Sequence, residues 1–201
     1  LNGITSFHAS EEIWRNPLKL SSTITKKELD ELRAGWDLVL DIDCKVFEYS
    51  RLCANLVVKF LEYCEVENIG CKFSGNKGMH IAVPYEAFPT KVGEKLTKDL
   101  FPEAARKIAA YVTHNIKDEL AKQILESEQG NINKIAEKVD LAREEILFYE
   151  QNHLGDKVAK LKVEQFLEID TILIASRHLY RMPYSLHEKS GLVSVPINPD
   201  N

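Results

Sequence analysis

The sequence has 201 residues, a length that suits one large domain or two small ones with enough chain to bury a sizeable core. Its 44% apolar and 28% charged residues are ordinary for a globular protein. With 26 basic and 31 acidic residues, the net charge of −5 excludes coating of nucleic acid by overall positive charge, although a local basic groove remains compatible with it.

The hydropathy of the chain predicts its setting. No apolar run approaches the roughly 18 residues of a membrane span, and no charged-then-apolar leader opens the sequence. The four cysteines are too sparse to mark an oxidising compartment. We therefore expect a cytoplasmic protein with no membrane partner. Because the sequence begins at Leu1, we expect residues 1–201 to be one domain from a longer protein.

The first half of the chain predicts alternating helices and strands. Residues 26–33 have a helical composition, and the apolar run within residues 36–43 predicts a buried strand that ends at acidic residues. Apolar residues at every third or fourth position predict a helix over residues 50–67. Two further strands are predicted at residues 71–73 and 79–83, joined by a glycine-containing turn.

The second half predicts a long helical region followed by a return to mixed structure. Residues 84–100 are punctuated like a loop, and residues 103–165 are expected to be mostly helical, with a second helix over 132–149. Residues 192–197 predict a last strand. Strands at both ends with helices between them indicate a single α+β domain in which residues 103–165 form a helical insertion.

Two aspartates at the end of the first predicted strand are the first candidate site. Asp41 and Asp43 are two positions apart, so in a strand both side chains point to the same face. Paired carboxylates repel unless a cation lies between them, and paired Mg²⁺ or Mn²⁺ ions suit phosphoryl transfer. The alternative is a pair of solvated acids at a strand end.

The glycine turn, residues 74–78, together with the start of the next strand is the second candidate site. Its two glycines allow a sharp turn and a close approach to a ligand, while successive backbone N–H groups, a lysine and a histidine suit an anion such as a triphosphate. The alternative is an ordinary hairpin with a surface lysine. The candidate nucleotide-binding residues here are Ser74, Gly75, Asn76, Lys77, Gly78 and His80.

An acid followed by a cluster of cations near the C-terminus is the third candidate. Arginine forks bind phosphate oxygens in a bidentate manner, so the cluster suits polyphosphate or nucleic acid. The alternative is a solvated helix that ends at Pro183. The residues concerned are Asp170, Arg177, His178, Arg181, Ser185 and His187.

Taken together and in this order, the three motifs resemble the archaeo-eukaryotic primase superfamily. The segment FSGNKGMH is similar to that family's nucleotide-binding turn, and RHLYRMPYSLHEKSGL is similar to its small-subunit signature. The resemblance runs from about residue 37 to the end of the chain. It implies a catalytic sheet resembling an RNA-recognition motif, packed against a second small α/β module.

The resemblance also implies roles for individual residues. Asp41, Asp43 and Asp170 match the catalytic acids that hold two divalent cations, Mg²⁺ or Mn²⁺. The residues of the glycine turn, with His80, match the site that holds the incoming nucleotide, and Arg181 and His187 match further positions of that site. The implied activity is synthesis or extension of primers on a single-stranded DNA template from nucleoside triphosphates, as a DNA-directed primase or polymerase, with replication, repair or defence proteins as further partners.

The sequence departs from the family pattern in ways that bear on cofactors. The cysteines between the first two motifs lack the paired spacing of a zinc knuckle, so zinc is not expected, and Cys53 and Cys64 are predicted to face a helix core. His178 stands where an arginine is expected, and Glu188 where glycine is common. These differences favour a stand-alone primase-polymerase over a replicative small subunit.

Two other functions remain compatible with the motifs. A two-metal nuclease would also use an acid pair with a distant third acid, although it has no triphosphate to hold. An inactive nucleic-acid-binding module of the same fold would keep the architecture without the reaction. Binding of a free nucleoside triphosphate with Mn²⁺ discriminates between the first of these and a polymerase.

Overall fold

A computed structural model describes residues 3–151, 155–170 and 174–198, and all structural statements here refer to them. The helices are α1 (Lys26–Leu32), α2 (Phe47–Tyr63), α3 (Glu103–Ser127) and α4 (Ile132–Val139). The strands are β1 (His8–Ser10), β2 (Glu12–Trp14), β3 (Arg33–Trp36), β4 (Leu38–Cys44), β5 (Gly70–Phe73), β6 (Met79–Val83), β7 (Lys91–Val92), β8 (Lys95–Leu96), β9 (Leu147–Gln151), β10 (Lys157–Leu161), β11 (Leu167–Asp170), β12 (Leu179–Arg181) and β13 (Val195–Ile197).

A five-stranded antiparallel sheet with the strand order β11-β4-β6-β5-β13 organises the molecule. Its strands β4, β5, β6 and β11 are connected through α2 and α3 in the order strand, helix, two strands, helix, strand. The interior strand β4 alternates, with Leu40 and Ile42 fully buried and the intervening Asp41 only partly buried. One face of the sheet therefore carries the core, and the other is free to carry polar groups. The predicted α+β class is confirmed.

Helix α2 covers the core face of this sheet and buries one of the two cysteines that were predicted to face a helix core. Tyr49, Cys53, Val57 and Leu61 are buried, whereas the expected core residue Cys64 lies beyond the helix and is exposed. The helix also begins and ends earlier than predicted, at Phe47–Tyr63. Several apolar residues on its neighbouring face are half-buried, so periodicity located the helix without resolving which of two adjacent apolar rows faces the sheet.

The helices of the predicted insertion contribute buried residues to the core. Helix α3, within the predicted helical region, packs against α2 and buries an apolar stripe from Ala105 to Ile124. The prediction that residues 103–165 are mostly helical is wrong from Asp140 onwards. Asp140 adopts a left-handed conformation (φ 58°) that ends α4, and β9 and β10 then form an antiparallel ribbon. Residues 152–154 of that prediction lie outside the described part of the chain.

The two ends of the chain meet beside the polar face of the sheet. Strand β1 pairs with β12, and β2 pairs with β3. The guanidinium of Arg33 is buried and forms an ion pair with the equally buried Glu12 at 2.6 Å, and the other carboxylate oxygen of Glu12 accepts a hydrogen bond from the Arg177 backbone N–H at 2.8 Å. Burial of a charge is tolerated when it is paired in this way. The pair therefore joins the N-terminal segment to the segment that carries the C-terminal cations.

Candidate active site

Strand register places four polar residues in one row across the open face of the sheet. Asp170 on β11 is opposite Asp41 on β4, Asp41 is opposite His80 on β6, and His80 is opposite Lys72 on β5. Residues directly opposite each other in antiparallel strands have neighbouring side chains on the same face. The row therefore runs from acids at one side of the sheet to a histidine and a lysine at the other.

A second acidic row lies one strand period away. Asp43 shares the face of Asp41 and is opposite Glu168 of β11. Both of these side chains belong to exposed residues. The structure thus brings together the three predicted acids Asp41, Asp43 and Asp170, and it adds Glu168 as a fourth carboxylate that the motifs did not indicate.

Electrostatics single out Asp41 within this group. Its pKa is raised to about 6, chiefly by burial and then by repulsion from Asp43 and Asp170, while Lys72 and Arg181 act in the opposite direction. Ionisation of this carboxyl group is therefore costly in the protein alone, and a bound cation would reduce that cost.

Next to it, the imidazole of His80 is kept neutral by its surroundings. Burial, followed by the positive charges of Lys72, Arg181 and His178, lowers the His80 pKa to about 3. Its Nε2 lies 3.3 Å from Asp41 Oδ1, so this contact joins a neutral ring to a carboxyl group and is not an ion pair. A neutral imidazole can offer one donor and one acceptor to a ligand.

Lys72 is a site residue that the sequence reasoning missed. Its side chain is buried, and Nζ donates to the Arg181 carbonyl at 2.7 Å and to Ser194 Oγ at 3.2 Å. Burial lowers its pKa to about 8, with Asp41 opposing that shift. The available signal was its position two residues before Ser74 in a predicted strand, which places both side chains on the same face.

Close packing explains both glycines of the turn. The turn is closed by a hydrogen bond from Ser74 N to Gly78 O at 3.0 Å. Gly75 has φ +99°, and a Cβ there would lie 3.0 Å from His187 Cβ; one on Gly78 would lie 2.6 Å from the Ile42 carbonyl oxygen. The glycines thus let the turn lie against the end of β4 and against the C-terminal strap, residues 182–194.

The turn residues divide between two sides of the site. Ser74 is buried beside the C-terminal strap, whereas Asn76 and Lys77 line a cavity of about 440 Å³ that also borders Asp43 and Glu168. The structure therefore does not gather all the predicted nucleotide-binding residues around one point. It places one lysine of the turn on the acidic side of the sheet, where nucleic acid or nucleotide could reach it.

Arg181 lies over the turn and carries both a backbone and a side-chain contact. Its Nη1 donates to Ser74 O at 3.3 Å, its Nη2 contacts Glu188 Oε2 at 2.6 Å, and its Nε is buried without a hydrogen-bond partner in the described structure. The side chain of His187 accepts hydrogen bonds through Nδ1 from the backbone N–H groups of Lys189 and Ser190. The ring is therefore oriented by its own turn.

The other members of the C-terminal cluster have different surroundings. The alternative of a helix ending at Pro183 is wrong, because residues Leu179–Arg181 form β12. Ser185 is buried and accepts a hydrogen bond from Phe7 N at 2.9 Å, which gives it a structural role. The ring of His178 lies 3.5 Å from a carboxylate oxygen of Glu11, a buried residue of the N-terminal segment for which the sequence offered no signal.

The donor set suits a hard divalent cation. Among the described residues, no three Asp, Glu, His or Cys side chains converge tightly enough to form a closed metal site in this conformation. Asp41, Asp43 and Asp170 nevertheless come from adjacent strands on one face, and the charges of Asp43 and Asp170 contribute to the raised pKa of Asp41. Carboxylate oxygens of this kind are the ligands that Mg²⁺ and Mn²⁺ prefer.

Comparison with models of known protein families identifies the family of the chain. Residues 37–199 match the family model described as DNA primase small subunit, and the chain belongs to that family. The family is one of nucleotidyltransferases that make primers, so membership indicates DNA and nucleotides as substrates. No curated protein matches the chain. Within the described residues, no helix is both long enough and apolar enough to cross a membrane.

Proposed function

Starting from membership of the small-subunit primase family, we propose that this chain is a template-dependent nucleotidyltransferase that synthesises or extends primers on single-stranded DNA by a two-metal mechanism. The observation that carries the proposal is the row Asp170, Asp41, His80 and Lys72, with two acids at one side, a cationic lysine at the other and a neutral histidine between them. Nucleotidyl transfer needs both, because the reacting phosphate is anionic and its departing pyrophosphate requires neutralisation.

The fold supports the finer comparison with an RNA-recognition motif. Strands β4, β5, β6 and β11 alternate with two helices, and the strand order β11-β4-β6-β5 is that of a split β-α-β arrangement. The helices pack on one face and leave the other open for ligands. The strand pairs β1–β12 and β2–β3 lie outside the five-stranded sheet, and they are the part of the fold that we assign to the second small α/β module expected from the resemblance.

Asp41, Asp43 and Asp170 are the residues that would hold two divalent cations. The chemistry that such ions supply is a lowered pKa of the primer 3′-hydroxyl and stabilisation of negative charge on the α-phosphate and pyrophosphate. The contribution of the chain is to hold the three carboxylates on rigid neighbouring strands. Since Asp43 and Asp170 both raise the pKa of Asp41, cation binding would be coupled to relief of the repulsion among the three acids.

Cationic and neutral donors would bind the triphosphate. Arg181 and Lys72 provide positive charge at the end of the row that lies away from the acids. Neutral His80 lies between the acids and Lys72 on the same face of the sheet. Ser74 and the backbone of the glycine turn add hydrogen-bond donors, while Lys77 would contact either the triphosphate or the template from the acidic side. Cytoplasmic location, additional domains and protein partners in replication, repair or defence remain predictions.

The experiment that tests the proposal is a primer-synthesis assay. The protein is incubated with single-stranded DNA, Mn²⁺ and labelled nucleotides, with and without a primer, beside the double variant Asp41→Asn/Asp43→Asn. The exposed Asp118, on α3, provides the matched control variant Asp118→Asn. We expect product with the wild-type protein and the control, and a loss of at least about 10²–10³-fold in the double variant.

Each outcome assigns the function differently. Product without a primer establishes a primase, and product only with a primer establishes a polymerase. Degradation of the DNA without incorporation would instead indicate a nuclease. If the wild-type protein neither incorporates nucleotides nor binds a triphosphate, the proposal is refuted in favour of an inactive binding module.

A further inference from the structure

Arg181, which the proposed function assigns to binding of phosphate, already forms an ion pair with a carboxylate of this chain. Glu188 Oε2 is 2.6 Å from Arg181 Nη2. The Arg181 side chain is 14% exposed and that of Glu188 is 57% exposed, so the guanidinium is mostly buried while its acidic partner faces solvent. Arg181 Nη1 is directed at the Ser74 carbonyl, which leaves the Nη2 side as the one shared with the solvent-facing group.

The turn that carries Glu188 is held in place by its own hydrogen bonds. Gly191 N donates to His187 O at 2.9 Å, and the Ser190 hydroxyl donates to the Gly75 carbonyl. Hydrogen bonds from two backbone N–H groups to the His187 ring add further restraint. The backbone of Glu188 is therefore fastened to the same glycine turn that the proposed function assigns to the nucleotide.

The charge state of this pair is defined near neutral pH. The pKa of Glu188 is lowered by a hydrogen bond from its own backbone N–H and by Arg181. The carboxylate is consequently ionised when the protein would bind a nucleotide. Carboxylate and phosphate groups are both bound by the N–H donors of an arginine side chain. A phosphate that approaches Arg181 from solvent therefore competes with the Glu188 carboxylate for the same donors.

We infer that Glu188 is an affinity-determining residue of the nucleotide site: its carboxylate occupies the phosphate-binding side of Arg181 and must be displaced when a triphosphate binds there. The inference rests on the proposed function. An intramolecular competitor of this kind weakens binding by the strength of its own ion pair, which for a partly exposed pair corresponds to about a two- to fivefold change in Kd.

The test compares nucleotide affinity in matched variants. Kd for a fluorescent nucleoside triphosphate is measured with Mn²⁺ by anisotropy for the wild-type protein, Glu188→Gln and Glu144→Gln, after thermal unfolding has shown that each variant is folded. Glu144 is an exposed residue of a turn between α4 and β9, so Glu144→Gln changes the net charge by the same amount as Glu188→Gln at a different place. We expect about two- to fivefold tighter binding by Glu188→Gln and no such gain by Glu144→Gln. In an Arg181→Gln background, Glu188→Gln should bring no gain.

The remaining outcomes overturn the inference in distinguishable ways. Unchanged or weaker binding by Glu188→Gln would mean that the carboxylate does not compete with phosphate, and weaker binding would identify it as an orienting partner of Arg181. If Glu188→Gln still tightens nucleotide binding in the Arg181→Gln background, the effect comes from the change in net charge and not from competition for the arginine. If the wild-type protein and every variant fail to bind the triphosphate, the proposed function fails as well, and the inference with it.

Discussion

Neutralising Asp41 should abolish activity and stabilise the metal-free protein at the same time. Burial and two neighbouring carboxylates raise its pKa from 3.8 to about 6, and each factor of ten in this equilibrium corresponds to about 1.4 kcal/mol. The full shift would correspond to about 3 kcal/mol, but the side chain is 33% exposed and solvent screening reduces the value. We therefore expect Asp41→Asn to raise the free energy of unfolding by about 1–3 kcal/mol above pH 6.

The sign of the pH dependence follows from the same shift. Since the folded pKa lies above the unfolded one, the folded protein holds the extra proton between about pH 4 and 6, and the stability of the metal-free protein falls as pH rises through that window. Above it the destabilisation is complete, and below it there is none. Asp41→Asn should remove the contribution of Asp41 to this dependence and so make the fall in stability smaller, whereas Asp118→Asn should retain the full dependence.

The assay is thermal unfolding in a chelating buffer at pH 5 and pH 7.5, beside primer extension with Mn²⁺. For a chain of this size, 1–3 kcal/mol corresponds to a rise in Tm of about 2–10 °C. A variant that is no more stable than the wild-type protein at pH 7.5 would refute the electrostatic argument. A variant that retains activity would refute the role of Asp41 in the reaction.

Three further predictions test other parts of the site. Gly78→Ala should destabilise the protein by about 1–3 kcal/mol in urea unfolding because the new Cβ would meet a carbonyl oxygen at 2.6 Å. Gly70→Ala, where the nearest atom is at 3.8 Å, is its control. Lys72→Met should weaken triphosphate binding about tenfold or more in a titration because it removes charge and two hydrogen bonds that hold Arg181 and Ser194. The pKa of Glu11 is raised to about 8, mainly by burial, so stability should fall as pH rises from about 4.5 through 8, and Glu11→Gln should flatten this fall in denaturant titrations at pH 6 and pH 9.

These three predictions fail on separate observations. Equal stability of the two alanine variants would show that the turn moves away from β4. Unchanged Kd in Lys72→Met with a normal Tm would exclude Lys72 from the nucleotide site. An unaltered pH slope in Glu11→Gln would place the titrating group elsewhere.

Several features of the site could be read from the sequence because they depend on local geometry. Side-chain alternation in a strand placed Asp41 and Asp43 on one face, and the structure agrees. The apolar stripe of α3 and the strand pair around the glycine turn were likewise predictable from periodicity and turn residues. The predicted helix over residues 132–149 was wrong in its second half. Asp140 adopts a left-handed conformation that ends α4, although the apolar pattern continued to Tyr149.

Only the tertiary structure decided which distant residues face one another. The register between β11 and β4 joins Asp170 to Asp41, and the register between β5 and β6 brings Lys72 to His80. The burial of Glu11 beside His178 and the ion pair of Glu188 with Arg181 depend on how the chain ends pack over the sheet. Residue types and their periodicity determine which face of an element is polar, whereas the pKa values and partners of those residues depend on long-range packing, since burial and neighbouring charge come from segments far apart in the chain.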